Sequence, residues 1–273
     1  MSNQISPLAY VDPTAKLGDG NQIGPFCFID KGVEMGDNNV LMNNVSIHYG
    51  ARIGSDNIFF PGCSISTLPQ DLKFKGEDTV AIIGNNNSIR ENVTISRGTA
   101  SKGETIVGSN NLLMENMHIA HDCVVGSGVI IGNSTKLAGE VEVEDNAIIS
   151  AVVLVHQFCR IGGYVMIQGG CRFSKDIPPY IIAGREPTIY CGINIVGLRR
   201  RGFSNETIEQ IHNAYRTIYQ SGLNVTNALR KIEEDMVMTP EIKYIVDFIR
   251  SSKRGIIQGK LIALLLTQQK NCC

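Results

Sequence analysis

The chain has 273 residues, of which 43% are hydrophobic, and a formal net charge of −1 at pH 7. That length allows one large domain with a smaller one and a continuous core. The charge balance excludes a globally basic nucleic-acid binder and leaves only local patches for acidic partners. No apolar run reaches the ~20 residues a membrane-spanning helix needs, and MSNQISPLAY has neither a charged nor an apolar leader region, so a cytoplasmic protein without a membrane span is expected.

Stepping by six from Ile5 gives Val11, Leu17, Ile23, Ile29, Met35, Leu41, Ile47, Ile53, Phe59 and Ile65, all apolar. The register resumes at Ile83, Ile89 and Ile95, and again from Val107 to Phe173; only Asp71, Glu77 and Ser101 break it. Four residues after a register position stands a small or β-branched residue, as at Ala15, Cys27, Val33, Cys63, Cys123, Val129 and Cys159. In a strand that residue and the next register position share a face, so each hexad specifies two inward side chains and a turn. A six-residue period cannot be an amphipathic helix, and a fixed period over such a length predicts a solenoid. Asn21, Asn39 and Asn57, spaced by 18, would stack as an amide ladder at one corner.

Cys27, Cys63, Cys123, Cys159 and Cys171 occupy the small inward position and read as core residues, with no CxxC pair to suggest a zinc ribbon. The polar stretches 66–82 and 97–105 must loop out, because an apolar interior would not accept Asp71, Glu77 or Ser101 unpaired. Past Phe173 the pattern stops and DIPPYIIAGREP reads as an extended linker. Helical spacing follows, with Ser204 as an N-cap, Gly222 as a stop and Thr239-Pro240 opening a last helix. The expected division is a β domain over 1–185 and a helical domain over 186–273, with 258–273 a tail of unassigned role.

His118 and His121 lie in HIAHDCVVG at positions that avoid the interior, and Asp122 follows as a carboxylate able to orient an imidazole. Together with VHQFCRIGG, QDLKFKGE, RENVTISRGT, IHNAYR and GLRRRGFS, this stretch makes residues 5–257 resemble the UDP-N-acetylglucosamine 3-O-acyltransferase family of lipid A biosynthesis. That family belongs to the hexapeptide-repeat acyltransferases, so the resemblance implies a left-handed parallel β-helix of roughly ten triangular coils at ~4.8 Å each, with a C-terminal helical cap. It implies a homotrimer with sites between prisms, an acyl carrier protein as donor and a UDP-sugar as acceptor, and needs no metal or other cofactor.

The resemblance further implies that His121 is the general base, Asp122 its supporting carboxylate and Gly139 the backbone N–H donor to the oxyanion. Gln70, Asp71, Lys73, His118, His156 and Gln157 match sugar and nucleotide contacts; Asn194, Arg200 and Arg201 match the nucleotide end; Gly169 matches the position that limits acyl length. Glu140 and Val196 depart from the family pattern, which has a histidine and an acidic residue there. An acidic carrier protein requires a basic patch, for which Arg160, Arg172, Lys175 and Arg199 are candidates. Two other enzymes are compatible with parts of the pattern: a trimeric zinc carbonic anhydrase using His118, His121 and His156, and an N-acyltransferase acting on a 3-amino UDP-sugar. An ice-binding solenoid would need a regular exposed Thr ladder, which the repeats lack.

Overall fold

The structure is a computed structural model describing residues 2–259; the end of the tail, including Cys272 and Cys273, lies outside the described residues. From Gln4–Ile5 to Arg172–Phe173 short strands succeed one another around three parallel sheets, so the chain winds as a triangular prism. The first face begins with Gln4–Ile5, the second with Tyr10–Val11 and the third with Lys16–Leu17. Each strand pairs with the one a coil later, as in Gln4↔Gln22, Tyr10↔Phe28 and Lys16↔Glu34. The faces hold 11, 9 and 8 strands, and the last strand of the first face is antiparallel. Ten parallel rungs on the longest face agree with the number of coils expected.

The register positions fill the core: Ile29, Ile47, Ile65, Ile95, Ile119, Ile131 and Ile161 are fully buried, and so are the small inward residues Cys123, Val129 and Cys159. Removing each such Ile from water contributes about 1.5–3 kcal/mol. Burial pushes the Cys63 and Cys123 thiols up to about 12, as expected of core residues that take no part in thiol chemistry. At the corners, the third residue after a register position adopts the left-handed conformation; Asn38, Asn44, Asn92 and Asn110 tolerate it, whereas Phe26, Val152 and Phe158 bear a cost.

The two polar stretches do loop out, but over the shorter spans 68–79 and 97–103, since 66–67, 80–82 and 104–105 belong to strands, and both loops leave the edge between the second and third faces. Across the first loop the coil offset grows from 18 residues to 30, and across the second it is 24. Both insertions are multiples of six, which is why the register survives in the numbering. The amide ladder crosses both loops: Asn39, Asn57 and Asn87 each donate a side-chain N–H to the preceding Asn Oδ1, and the backbone N–H groups of Asn111 and Val129 continue the series.

The expected linker is more structured than its Pro-rich sequence suggests, because Ile181–Gly184 extends the first face and then pairs antiparallel with Ile189–Ile193. The 185/186 division therefore falls in the turn of a hairpin. Among the described residues four helices follow: α1 (Ile195–Arg200), α2 (Asn205–Gln220), α3 (Val225–Asp235) and α4 (Pro240–Ser251). Ser204, Asn224 and Thr239 cap α2, α3 and α4 by accepting an N–H with their side chains. The helices are fixed to the end of the prism: the Tyr215 hydroxyl donates to the Pro179 carbonyl at 2.6 Å, Gly163 N–H donates to the Tyr244 hydroxyl at 2.7 Å, and Arg160 lies over the Phe248 ring. Among the described residues no helix is long and apolar enough to cross a membrane.

Candidate active site

Ile119 and Cys123 point into the prism, so the corner between them carries His121 and Asp122 on the edge from which both loops depart. Asp122 takes the left-handed corner conformation, with φ 61°, and is fully buried. The second loop satisfies it. Oδ1 accepts the Thr99 N–H at 2.9 Å and the Lys102 N–H at 3.3 Å, while Oδ2 accepts the Thr99 hydroxyl at 2.6 Å. The Asp122 N–H donates to Thr105 Oγ1 at 2.8 Å. Burial alone would disfavour the charge, but the Thr99 and His121 hydrogen bonds outweigh it and hold the carboxyl below its usual range.

His121 Nδ1 lies 2.7 Å from Asp122 Oδ2. An ionised carboxylate only accepts, so Nδ1 carries a proton, and the tautomer of the neutral ring is the one with its lone pair on Nε2. Asp71 Oδ2, delivered by the first loop, stands 4.0 Å from Nε2. One rung on, Gly139 lies against the ring: a Cβ there would be 2.7 Å from His121 Nε2 and Cε1, so any side chain would push the imidazole out of place. Among the described residues no acceptor engages the Gly139 N–H. An imidazole, the carboxylate that orients it and a backbone N–H with no acceptor among the described residues thus lie together.

Gln70, His118, His121, Gly139 and Gln157 line one open groove of about 450 Å³, together with Lys136 and Leu154. His118 Nδ1 bonds Thr94 Oγ1 at 2.7 Å; burial, and then the Lys136 charge, push its pKa down and favour a neutral ring. Lys73 holds the turn through its backbone N–H on Asp71 Oδ1, with an exposed side chain. His156 is also exposed, its Nδ1 bonded to the Gln157 carbonyl. Sequence reasoning missed Thr99, Thr94 and Lys136, which lie in a loop and on outward strand faces with no periodic signal, and Thr105, which is buried at the small inward position of its strand.

The remaining residues singled out from the sequence lie elsewhere on the chain. Asn194 is buried, with Nδ2 on the Tyr164 carbonyl and Oδ1 accepting the Gly197 N–H, so both amide atoms do structural work. Arg201 lies over the Tyr164 ring and donates to Asn146, which puts it on the edge between the third and first faces. Arg200 is exposed on α1 beside it. Gly169 sits on the remaining edge, between the first and second faces. Of the basic residues considered for docking, Arg160 is engaged by Glu142 and Glu144, and Arg172 pairs with Glu186. Lys175 and Arg199 are exposed. Of the two departures, Glu140 accepts from the Ser101 hydroxyl and so secures the second loop, and Val196 is exposed in α1. Within one chain no group of three or more His, Cys, Asp or Glu converges as a metal site among the described residues.

A hexapeptide prism with a carboxylate-backed histidine over a backbone donor is the layout of an acyltransferase. A family model described as UDP N-acetylglucosamine O-acyltransferase, domain 2, matches residues 176–257. An acyl-(acyl-carrier-protein)–UDP-N-acetylglucosamine O-acyltransferase from Chlorobaculum parvum is 51% identical over 195 residues, 71% of this chain and 74% of that protein. The solved UDP-N-acetylglucosamine acyltransferase LpxA of Bacteroides fragilis superposes with a TM-score of 0.93 at 68% identity, covering 93% of this chain and all (100%) of that one. LpxA from Acinetobacter baumannii gives 0.91 at 41% identity, covering 93% and 99%. The chain belongs to the UDP-N-acetylglucosamine O-acyltransferase family, and its prism is a left-handed parallel β-helix.

Proposed function

We propose that this chain transfers an (R)-3-hydroxyacyl group from acyl carrier protein to the 3-hydroxyl of UDP-N-acetylglucosamine, the first step of lipid A biosynthesis, in the cytoplasm. The observation that carries the reading is the His121–Asp122 pair at 2.7 Å, set against Gly139. His121 Nε2 takes the proton of the sugar hydroxyl as its oxygen attacks the thioester carbonyl. Asp122 stabilises the imidazolium that forms, and because it is already charged, buried and hydrogen-bonded, little reorganisation accompanies the step. The carbonyl oxygen becomes an oxyanion, which the Gly139 N–H receives. Collapse of the intermediate expels the carrier's thiolate, which recovers the proton from His121, and the ester is formed. No step calls for a metal or cofactor.

The grouping of residues on three different edges supports a homotrimer. His121, Asp71 and Gln157 share one edge, Asn194, Arg200 and Arg201 another and Gly169 the third, so one substrate can meet all of them only between neighbouring copies. The first face presents an outward row of Leu112, Ile130, Ile148 and Met166, paired rung to rung, which suits a protein partner better than water.

The test is acyl transfer by purified protein with UDP-N-acetylglucosamine and a 3-hydroxyacyl carrier protein. His121→Ala should lower turnover by about 10³-fold or more while the far-UV spectrum and oligomeric state stay unchanged; near wild-type turnover would refute the base assignment. Preferential acylation of a 3-amino UDP-sugar supplied in place of UDP-N-acetylglucosamine, giving an alkali-resistant amide, would redirect the reading to N-acylation.

A further inference from the structure

The second loop does more than cross the edge of the prism, because its Thr99 meets the one carboxylate that orients the base. We propose that Thr99 is a positioning residue for the reaction, the third member of a Thr99–Asp122–His121 relay in which its hydroxyl fixes the Asp122 carboxylate in the plane that holds His121. This rests on the role of His121 given above.

The geometry is directional. The Thr99 oxygen accepts the Ser101 N–H at 3.2 Å, which leaves its own proton for Asp122 Oδ2 at 2.6 Å. That same Oδ2 accepts His121 Nδ1 at 2.7 Å. The other oxygen is held by the Thr99 and Lys102 N–H groups, so the carboxylate is anchored on both sides and cannot rotate without breaking a buried, charge-assisted bond. Thr99 is itself buried, and Gly103 N–H donates to its carbonyl at 2.7 Å, which closes the loop into a tight turn. Glu140 from the Gly139 corner reaches over to accept the Ser101 hydroxyl, and Lys102 pairs with Glu142. The loop is thus fastened independently of the Thr99 hydroxyl, and removing that hydroxyl alone should leave the chain in place.

Thr99→Val removes the hydroxyl and keeps the shape and the backbone N–H. It should lower kcat about tenfold with KM for the sugar nucleotide nearly unchanged, since Thr99 does not line the groove. Thr99→Ser, which keeps the donor, should recover most of the loss. In an Asp122→Asn background Thr99→Val should have little further effect, because the hydroxyl acts through the carboxylate. Thermal unfolding of each variant checks that the fold is intact. Unchanged kcat in a folded Thr99→Val protein, or full additivity with Asp122→Asn, would overturn the relay. Absence of acyl transfer in the wild-type protein would instead refute the functional reading on which it rests.

Discussion

At the scale of single residues, the site is built by giving one carboxylate no alternative to its charge. Asp122 is fully buried, yet four donors converge on it, so the ionised form is held although burial opposes it. A carboxyl whose folded pKa lies below its unfolded one stabilises the fold above the unfolded value and loses that contribution as the pH falls through the folded value. With the ordinary Asp value near 3.8, the loss falls in the acid range. Asp122→Asn should therefore destabilise most near neutrality, and its deficit in urea denaturation should shrink between pH ~7 and pH ~3. A deficit that stays constant over that range would remove charge from the explanation.

The same scale shows what was legible in the sequence and what was not. Ile119 and Cys123 fix which neighbours face out, so the repeat places both His118 and His121 off the interior, and only the family resemblance distinguishes His121 with Asp122. Thr99 carries no such mark, because it meets Asp122 across 23 residues through a loop whose length the repeat does not set. For the same reason the sequence could group Asn194, Arg201 and His121 only by resemblance, whereas the edges they occupy follow from where the last coil ends.

At the scale of elements, the coils are specified twice: by apolar stacking on the faces and by the amide ladder at one edge. The helical cap was legible from Ser204 and Thr239-Pro240, because caps act locally, whereas the Asn224 cap of α3 came only with the structure. The strand Ile181–Gly184 was not legible, since its Pro-rich approach hides a pairing supplied by the prism. The ladder gives a direct test. Asn57 Oδ1 is the acceptor for both the backbone and the side-chain N–H of buried Asn87, so Asn57→Leu leaves two donors without a partner. It should cost about 2–4 kcal/mol in urea denaturation. Lys16→Ala, which breaks only an exposed pair with Glu34, should stay within ~0.5 kcal/mol.

At the scale of the whole molecule, the three faces differ in what they offer. The third carries cross-rung charge pairs such as Lys16–Glu34 and Glu142–Arg160, the second carries the groove, and the first carries the apolar row. Unlike surfaces that meet in a closed ring give a cyclic oligomer, which fits the proposed trimer. Ile148→Lys places a charge in the middle of the apolar row while leaving the interior untouched. It should shift sedimentation from trimer toward monomer and abolish acyl transfer, with the β-sheet spectrum retained; an intact trimer would move the interface off this face.

The strand bearing His118 is the sixth of nine on its face, with five rungs before it and three after it before the helical cap. In the first described coils Ile5, Leu8 and Tyr10 are exposed. A stacked chain in which each unit leans only on its neighbours opens first where burial is poorest. The first coils, whose register residues Ile5, Val11 and Leu17 are less buried than those further on, can therefore fray and reclose many times while the edge carrying His121 keeps its geometry, so amide protection should rise along the prism toward that edge.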